Sequence, residues 1–456
     1  LKDDVVQEIL AAGRIYEVGG CVRDALMHCQ PDSKDRDYLV CGVPLERLTK
    51  ILSGHGYLDL VGKSFGVIKF TPHPEPGAPR LTYDLTLPRK ERSTGVGHTD
   101  FEVDYDPSLR VEDDLGRRDF SINAMARDLR DGRIVDPFDG RRDLADGVIR
   151  MVAANSFPED PLRMLRAVQF AARFEFTIEP ATYQALVDHA ALIATVSPER
   201  AADELNKMLL RAARPSIGLR LMQSSGLMRY LLPELEPTIG CDQPGGYHAH
   251  DVFEHTLRIT DACPPRLQLR LAALFHDITK PQHKRLVDTG ATFYGHEISG
   301  AATARQVLRR LRYSNDVIAD VVLLVERHMF TTEVGSKGLR RFIRRVGQRL
   351  IPDLLDLRRA DVVAQGMNGK TDDVDQMQQA IREEIERKPP FGRSDLAING
   401  QAIMTAFELA PSPLIGEVLA HLMEKVLDNP ADNQPDILLR HARQYLQERR
   451  NNLSIH

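Results

Sequence analysis

Apolar and polar positions alternate in short runs through the first third of the chain and then give way to helical spacing. Arg14-Ile15-Tyr16-Glu17-Val18 predicts a strand and Val22 to Met27 the first turns of a helix, with Gly19 and Gly20 at the join. A second strand is expected to end in Tyr38-Leu39-Val40-Cys41 and a third to run through Arg80-Leu81-Thr82-Tyr83-Asp84-Leu85. Farther on, Leu162, Leu165, Val168 and Ala172 recur at helix spacing behind Asp160-Pro161, a pair suited to the N-cap and first helical positions. The pattern predicts an α+β fold: an α/β head over 1–150 with a Pro-rich loop at 71–79, followed by an almost wholly helical remainder. That remainder divides into a neck at 151–215, a connecting segment at 216–246, a helical domain at 247–366 and a tail of amphipathic helices at 367–456. The sequence contains no internal repeat and no low-complexity tract.

Several of these elements carry groups with a chemical use. Glycines between a strand and a helix let backbone N–H groups approach an anion at the positive end of the helix. Arg23 falls in the first helical turn, where its forked guanidinium can grip a triphosphate. Asp35 and Asp37 are two positions apart in an extended run, so both carboxylates share one face and suit a hard, octahedral Mg2+ ion. Neither a Gly-Gly turn nor an Asp-x-Asp is diagnostic alone; strand, glycine turn, helix and paired Asp in that order are. Asp160, Arg163 and Arg166 lie three apart and share a helix face. An acceptor beside a donor can read cytosine and adenine, which both place an exocyclic amine next to a ring-nitrogen acceptor. Uracil and guanine place a carbonyl where the amine would be, and the unpaired carboxylate then costs about 1–3 kcal/mol.

In this arrangement the residues resemble a class II tRNA nucleotidyltransferase of the bacterial CCA-adding and poly(A) polymerase family. Four further stretches carry the likeness. They are Glu112-Asp113-Asp114-Leu115-Gly116-Arg117-Arg118-Asp119-Phe120-Ser121-Ile122-Asn123-Ala124-Met125-Ala126; Asp136-Pro137-Phe138-Asp139-Gly140 with Asp143-Leu144; Glu159-Asp160-Pro161-Leu162-Arg163-Met164-Leu165-Arg166; and Ser197-Pro198-Glu199-Arg200 with Glu204-Leu205. The resemblance covers roughly residues 15 to 205. It implies a polymerase-β-like nucleotidyltransferase head and template-independent addition or repair of the 3′-terminal CCA of tRNA, using CTP and ATP and releasing pyrophosphate. It further implies Mg2+ on Asp35 and Asp37 with Asp84 as a third catalytic carboxylate. Nucleotide contacts would come from Gly19, Gly20, Arg23, Arg118, Asp119, Asn123, Asp160, Arg163 and Arg166. The run from Arg89 to Arg110 stands where relatives use a mobile loop, and the helical tail would cradle the tRNA elbow. Two departures stand out. Gln169 occupies a place where many relatives have another arginine, and Val61-Gly62-Lys63-Ser64-Phe65 has one of the two adjacent basic residues associated with poly(A) addition. Enzymes that add only CC, only A, or poly(A) are the nearest rivals.

A second constellation comprises His255, His276-Asp277 and Asp361. It resembles the metal-binding pattern of the HD phosphohydrolase superfamily, which implies a divalent transition metal, Mn, Ni or Co, with His296 and His328 lining the pocket. A rival of another class follows from it: a metal phosphohydrolase whose head merely binds RNA.

Composition changes this picture little. The 456 residues carry a formal charge of −5, awkward for an RNA enzyme unless basic groups are concentrated locally. Arg340, Arg341, Arg344, Arg345 and Arg349, and separately Arg305, Arg309, Arg310 and Arg312, are expected to form such patches. Five cysteines, odd in number and without a Cys-x-x-Cys pair, suit a reducing, cytoplasmic setting. No apolar run approaches a membrane span. The chain opens on Leu1 rather than methionine, so native residues are expected to precede it. Nothing in the pattern specifies an oligomeric state.

Overall fold

The computed structural model describes residues 1–28, 36–61, 67–74, 76, 81–93, 101–244, 249–365, 370–387 and 391–453. Two compact units result, Leu1–Glu236 with Arg310–Tyr313, and Pro237–Arg309 with Ser314–His456.

The first unit begins with α1 (Asp3–Ala12), β1 (Arg14–Val18), α2 (Gly20–Leu26), β2 (Asp37–Cys41), α3 (Leu45–Ser53), β3 (Gly56–Val61), β4 (Val67–Pro72) and β5 (Tyr83–Thr86). A hairpin, β6 (Arg89–Ser93) and β7 (Phe101–Tyr105), precedes α4 (Val111–Leu115), β8 (Ala126–Asp128) and β9 (Ile134–Val135). Seven strands form one mixed sheet in the order β3-β4-β5-β2-β1-β8-β9, in which β2 and β5 are parallel and the other neighbours antiparallel. Alternation sorts the two faces. Ile15, Tyr38, Val40, Ile68, Phe70 and Leu85 enter one core with Val5 and Ile9 of α1 and Leu48 and Leu52 of α3. Tyr16, Val18, Leu39 and Cys41 enter another with Val111 and Leu115 of α4. The first strand matches its expected bounds, whereas the third is Tyr83–Thr86, with Leu81 and Thr82 before it and Arg80 outside the described residues. The expected loop from Arg89 to Arg110 contains the β6–β7 ladder, with Arg89 opposite Tyr105. Gly95, Gly97 and Asp100 of that run, and Lys63 to Phe65, lie outside the described residues.

Helices then dominate: α5 (Gly140–Asp146), α6 (Ser156–Glu159), α7 (Leu162–Phe174), α8 (Pro180–His189), α9 (Pro198–Arg211), α10 (Pro215–Ser224) and α11 (Met228–Leu231), with a short parallel ladder between Val148–Ile149 and Thr177–Ile178. At the start of α7, Asp160 has extended angles (φ −138°, ψ 95°) and Pro161 helical ones (φ −59°, ψ −20°). Asp160 Oδ1 accepts the Leu162 N–H at 3.3 Å, which fits the expected cap. The motif from Asp136 is structural: its carboxylate accepts the Gly140 and Arg141 N–H groups at 2.7 and 2.9 Å and so caps α5.

The second unit is helical apart from a hairpin, Arg285–Val287 with Gly290–Thr292. Its arginine-rich helix, Ser336–Val346, corrects an expectation. Arg340 is buried and donates to the Leu427 and Asp428 carbonyls and to Glu384. Arg341 and Arg344 pair with Glu424, Arg341 also with Asp428, and Arg349 with Asp320. Arg340, Arg341 and Arg344 tie the helix to Pro413–Asp428 and its surroundings and so are not a bare patch for phosphate, whereas Arg345 is exposed. In the first unit, Arg310 is likewise spent on Glu234. Among the described residues no helix is long and apolar enough to cross a membrane.

Candidate functional site

A cleft of about 910 Å³ in the first unit is lined by Gly19, Gly20, Arg23, Asp37, Arg118, Asp119, Asn123, Asp160, Arg163 and Arg166. Residues separated by nearly 150 positions are thus brought to one place. Asp35 lies outside the described residues. Asp84 stands directly opposite Asp37 in the β2–β5 register, its side chain 39% exposed. Two carboxylates at one level on adjacent parallel strands offer the hard oxygen donors that Mg2+ prefers. Gly19 has φ +77°, and a Cβ there would lie 2.6 Å from Arg118 Nη1. Glycine is therefore required both for the turn and for the approach of Arg118, whose guanidinium also sits 3.5 Å from Asp114.

Arg23 departs from its expected role as an open triphosphate clamp. It is 4% exposed, donates to Asp24 at 2.8 Å and to Asn123 at 2.5 Å, and lies over the rings of Phe170 and Phe174. It forms part of the cleft's floor and fixes Asn123. Asn123 in turn donates to Asp119 Oδ1 at 3.0 Å, which also accepts the Phe120 N–H at 2.8 Å. Asp119 Oδ2 takes Arg166 Nε and Nη2 at 2.8 and 2.7 Å. Burial alone would raise the Asp119 pKa, but the Arg166 guanidinium and these hydrogen bonds outweigh it and hold the carboxyl below its ordinary value.

Of the three residues expected to read a base, Arg166 is therefore committed to Asp119. Asp160 and Arg163 both line the cleft. Arg163 is anchored by Ser156 Oγ at 3.0 Å and the Arg117 carbonyl at 2.7 Å. Five N–H donors leave it capacity for a ligand. Asp160 accepts from Arg200 at 3.2 and 3.0 Å. Arg200 and Glu204, from the Ser197-Pro198-Glu199-Arg200 motif and the helix it opens, join the cleft as well. Both project from α9, whose start is capped by Ser197 Oγ on the Arg200 N–H at 3.4 Å. Glu204, buried, lies 3.7 Å from Arg166 and 2.8 Å from Lys207. A Ser-Pro cap followed by Arg and Glu four apart on one helix face was the available signal.

The second unit brings the other predicted residues together. His255, His276 and Asp277 form one buried group able to hold a metal ion, and Asp277, His296 and His328 another. Nδ1 of His276, His296 and His328 lies 2.8, 2.7 and 2.7 Å from the carbonyls of Ala273, Phe293 and Val325. Donation there leaves each Nε2 lone pair turned toward Asp277, the arrangement that second-shell carbonyls impose on metal-binding imidazoles. His276 Nε2 and Asp277 Oδ1 are buried without a well-formed hydrogen bond, so the donor set fits a cation. Asp361 meets His255 Nε2 at 3.0 Å. Burial, reinforced by His276, pushes the His328 pKa down to about 3. Burial opposes ionisation of Asp277, yet His276 and Lys280 hold it well below the usual carboxylate range. The adjoining cavity, about 520 Å³, is lined by Lys280, His296, His328, Arg358 and Asp361 among others.

Comparison with known proteins settles the lineage. The Multifunctional CCA protein of Nitrosococcus oceani is 32% identical over 431 residues, which cover 90% of this chain and 96% of that one. The chain belongs to the tRNA nucleotidyltransferase and poly(A) polymerase family. Within this nucleotidyltransferase, residues 15–150 match the poly(A) polymerase head domain, 175–239 the probable RNA and SrmB-binding site of polymerase A, and 293–442 a putative tRNA nucleotidyltransferase domain 2. The A-adding tRNA nucleotidyltransferase of Deinococcus radiodurans is 36% identical over 383 residues, 77% of this chain and 85% of that protein. The Bacillus stearothermophilus CCA-adding enzyme, solved in complex with CTP, shares the fold: TM-score 0.72, 23% identity, 98% of this chain and 97% of that one. The nucleotidyltransferase head thus carries the glycine turn and Asp37, while the helices that follow it supply Asp160, Arg163 and Arg200 to the same cleft.

Proposed function

We propose that this nucleotidyltransferase builds or repairs the 3′-terminal CCA of tRNA from CTP and ATP, acting in the cytoplasm without a nucleic-acid template. The observation that carries this reading is one cleft in which Asp160 and Arg163 face the same space as the Gly19-Gly20 turn and Asp37. A base read at the start of α7 leaves its triphosphate at the glycine turn, where the Gly20 and Cys21 N–H groups open the helix ahead of its first backbone bonds, those of Val22 and Arg23 to the Gly19 carbonyl. Arg118, 20% exposed, is the cation placed to meet the phosphates; Arg23 and Asn123 keep the floor rigid. Asp37 and Asp84, with Asp35 from the same segment, would hold Mg2+. That metal, when bound, favours the 3′-oxyanion of the RNA and neutralises charge on the triphosphate. The relative named as A-adding makes single-nucleotide addition the closest competitor.

Transcripts ending at the discriminator base, at C and at CC, given Mg2+ and all four nucleotides and then sequenced at the 3′ end, test the reading. Completion to CCA on all three is expected. Extension only of the CC substrate would assign A addition, arrest at CC would assign CC addition, and a run of A would assign poly(A) synthesis. Asp37→Ala should abolish every product.

A second reading concerns the other unit. The convergent Nε2 atoms around Asp277 support a divalent transition metal there, Mn, Ni or Co, and Lys280 and Arg358 beside it suit a phosphoester. Manganese- or nickel-dependent opening of 2′,3′-cyclic nucleotides to the nucleoside 2′- or 3′-monophosphate, lost in Asp277→Ala while CCA addition persists, would establish it. The helical tail is assigned to the tRNA elbow on the same footing, and deletion of 391–456 should raise the KM for tRNA and not for a minihelix.

A further inference from the structure

Lys69 is an anomaly of the head sheet. It lies on β4, an interior strand between β3 and β5, so protection of a sheet edge does not account for it. Its neighbours Ile68 and Phe70 are buried in the core, which turns Lys69 to the opposite face. On that face the registers Val18↔Asp37, Asp37↔Asp84, Lys69↔Asp84 and Asp59↔Lys69 define one row running across five strands. Lys69 Nζ is 4.0 Å from Asp84 Oδ1, with side chains 46% and 39% exposed. A pair that long and that wet contributes little stability. Lysine is also a poor strand residue. Asp59 and Asp84 flank Lys69 in register, but exposed cross-strand charge pairs add at most about 1 kcal/mol, so stability is only a small part of the reason for a cation here.

The order of the row supplies the rest. Nucleotidyl transfer places the attacking and leaving oxygens in line across the α-phosphorus. Gly19 follows the end of β1, so pyrophosphate departs on the β1 side of the carboxylates. The attacking 3′-oxygen must then arrive from beyond Asp84, over β4. Strands are spaced about 4.8 Å apart, so a cation one strand past Asp84 lies where the phosphodiester behind the terminal nucleotide must pass. On the reading that Asp37 and Asp84 form the catalytic edge, we propose that Lys69 binds the terminal phosphodiester of the RNA acceptor and aligns its 3′ end.

Initial rates of CMP incorporation into a tRNA transcript lacking CCA test this, with KM for tRNA, KM for CTP and the Mg2+ half-saturation measured separately. Lys69→Ala should raise the tRNA KM about fivefold, the scale of one partly exposed charge contact. The CTP KM and Mg2+ half-saturation should not move. Lys69→Arg should restore most of the loss and Lys69→Glu should exceed it. The slope of log KM for tRNA against log salt should become shallower by about 0.7 in Lys69→Ala, one phosphate contact to a single strand. An unchanged tRNA KM, or a shift in Mg2+ requirement alone, would overturn the assignment. Asp37→Ala separates the two levels: if it still adds nucleotides the catalytic edge itself is wrong, and if it is inactive while Lys69→Ala is silent only the Lys69 assignment fails.

Discussion

Arg200 Nη2 donates to both carboxylate oxygens of Asp160, at 3.2 and 3.0 Å, across 40 residues of sequence. The pair joins α9 to the first turn of α7 and sets the direction in which Asp160 presents its acceptor. A carboxylate that reads an exocyclic amine discriminates only while it cannot swing away, and on the proposed reading of Asp160 this would make Arg200 a positioning residue for base choice.

Replacing Arg200 with Ala should reduce the preference for CTP over UTP about tenfold, which corresponds to about 1.4 kcal/mol. Single-nucleotide incorporation with each triphosphate measures it. Arg200→Lys should keep part of the preference, since an ammonium keeps the charge but loses the planar guanidinium that fixes where the donor sits. A uniform loss of rate with the CTP/UTP ratio intact would show that the pair supports folding alone.

Gly19 makes a sharper steric prediction. Its φ of +77° and the 2.6 Å separation between a built Cβ and Arg118 Nη1 mean that Gly19→Ala must either strain the turn or push Arg118 aside. With ψ −132° the turn is backbone that glycine alone adopts readily, costing another residue about 1–3 kcal/mol, so the KM for CTP should rise about tenfold. The tRNA KM should stay level, because Gly19 and Arg118 stand at the turn proposed to take the triphosphate.

These two cases mark what could be read along the chain and what could not. β1 was legible because its alternation is local, and the glycine turn because only a few backbone geometries need two glycines between a strand and a helix. Asp84 was placed by resemblance, and its partner became visible only through the parallel β2–β5 register. Arg23 looked like an open clamp from its position in a helix; Asp24, Asn123, Phe170 and Phe174 turn it into floor, and three of those four are remote in sequence. Arg340, Arg341 and Arg344 resemble an RNA patch in composition, yet acidic and carbonyl partners, most of them some 80–90 positions away, engage them. Local period survives in sequence, whereas ion pairing is decided by packing.

For the second unit, His276→Ala removes an imidazole whose Nε2 lies 3.0 Å from Asp277 Oδ2. Protein purified after growth with Mn, Ni and Co should lose most of its bound transition metal, as read by elemental mass spectrometry. CCA addition should stay within about twofold of the parent, because the nucleotide cleft is built wholly from the other unit. Unchanged metal content would assign ligation to other residues.

Asp119 is the buried carboxylate on which the nucleotide cleft turns, 7% exposed and bonded by Arg166, Asn123 and the Phe120 N–H. Asp119→Asn leaves the shape and removes the charge, so Arg166 loses its partner while Glu204, 3.7 Å away, compensates only in part. Breaking a largely buried pair on one side costs about 2–3 kcal/mol, and the denaturant midpoint should fall accordingly at pH 7. The sign of the pH dependence follows from the lowered pKa of Asp119. Below the unfolded carboxyl pKa of about 3.9 the unfolded chain binds a proton that the folded one still refuses. The contribution is therefore complete above that pH and is lost as pH falls toward the folded value. Parent and Asp119→Asn should differ most near neutrality and converge below about pH 4, a comparison that equilibrium unfolding at pH 7, 5 and 3.5 resolves. A gap that persists undiminished at pH 3.5 would mean that the carboxylate's hydrogen bonds to Asn123 and Phe120, and not its charge against Arg166, hold the cleft in place, because the amide oxygen of Asn could then keep neither more nor less of them as acid is added.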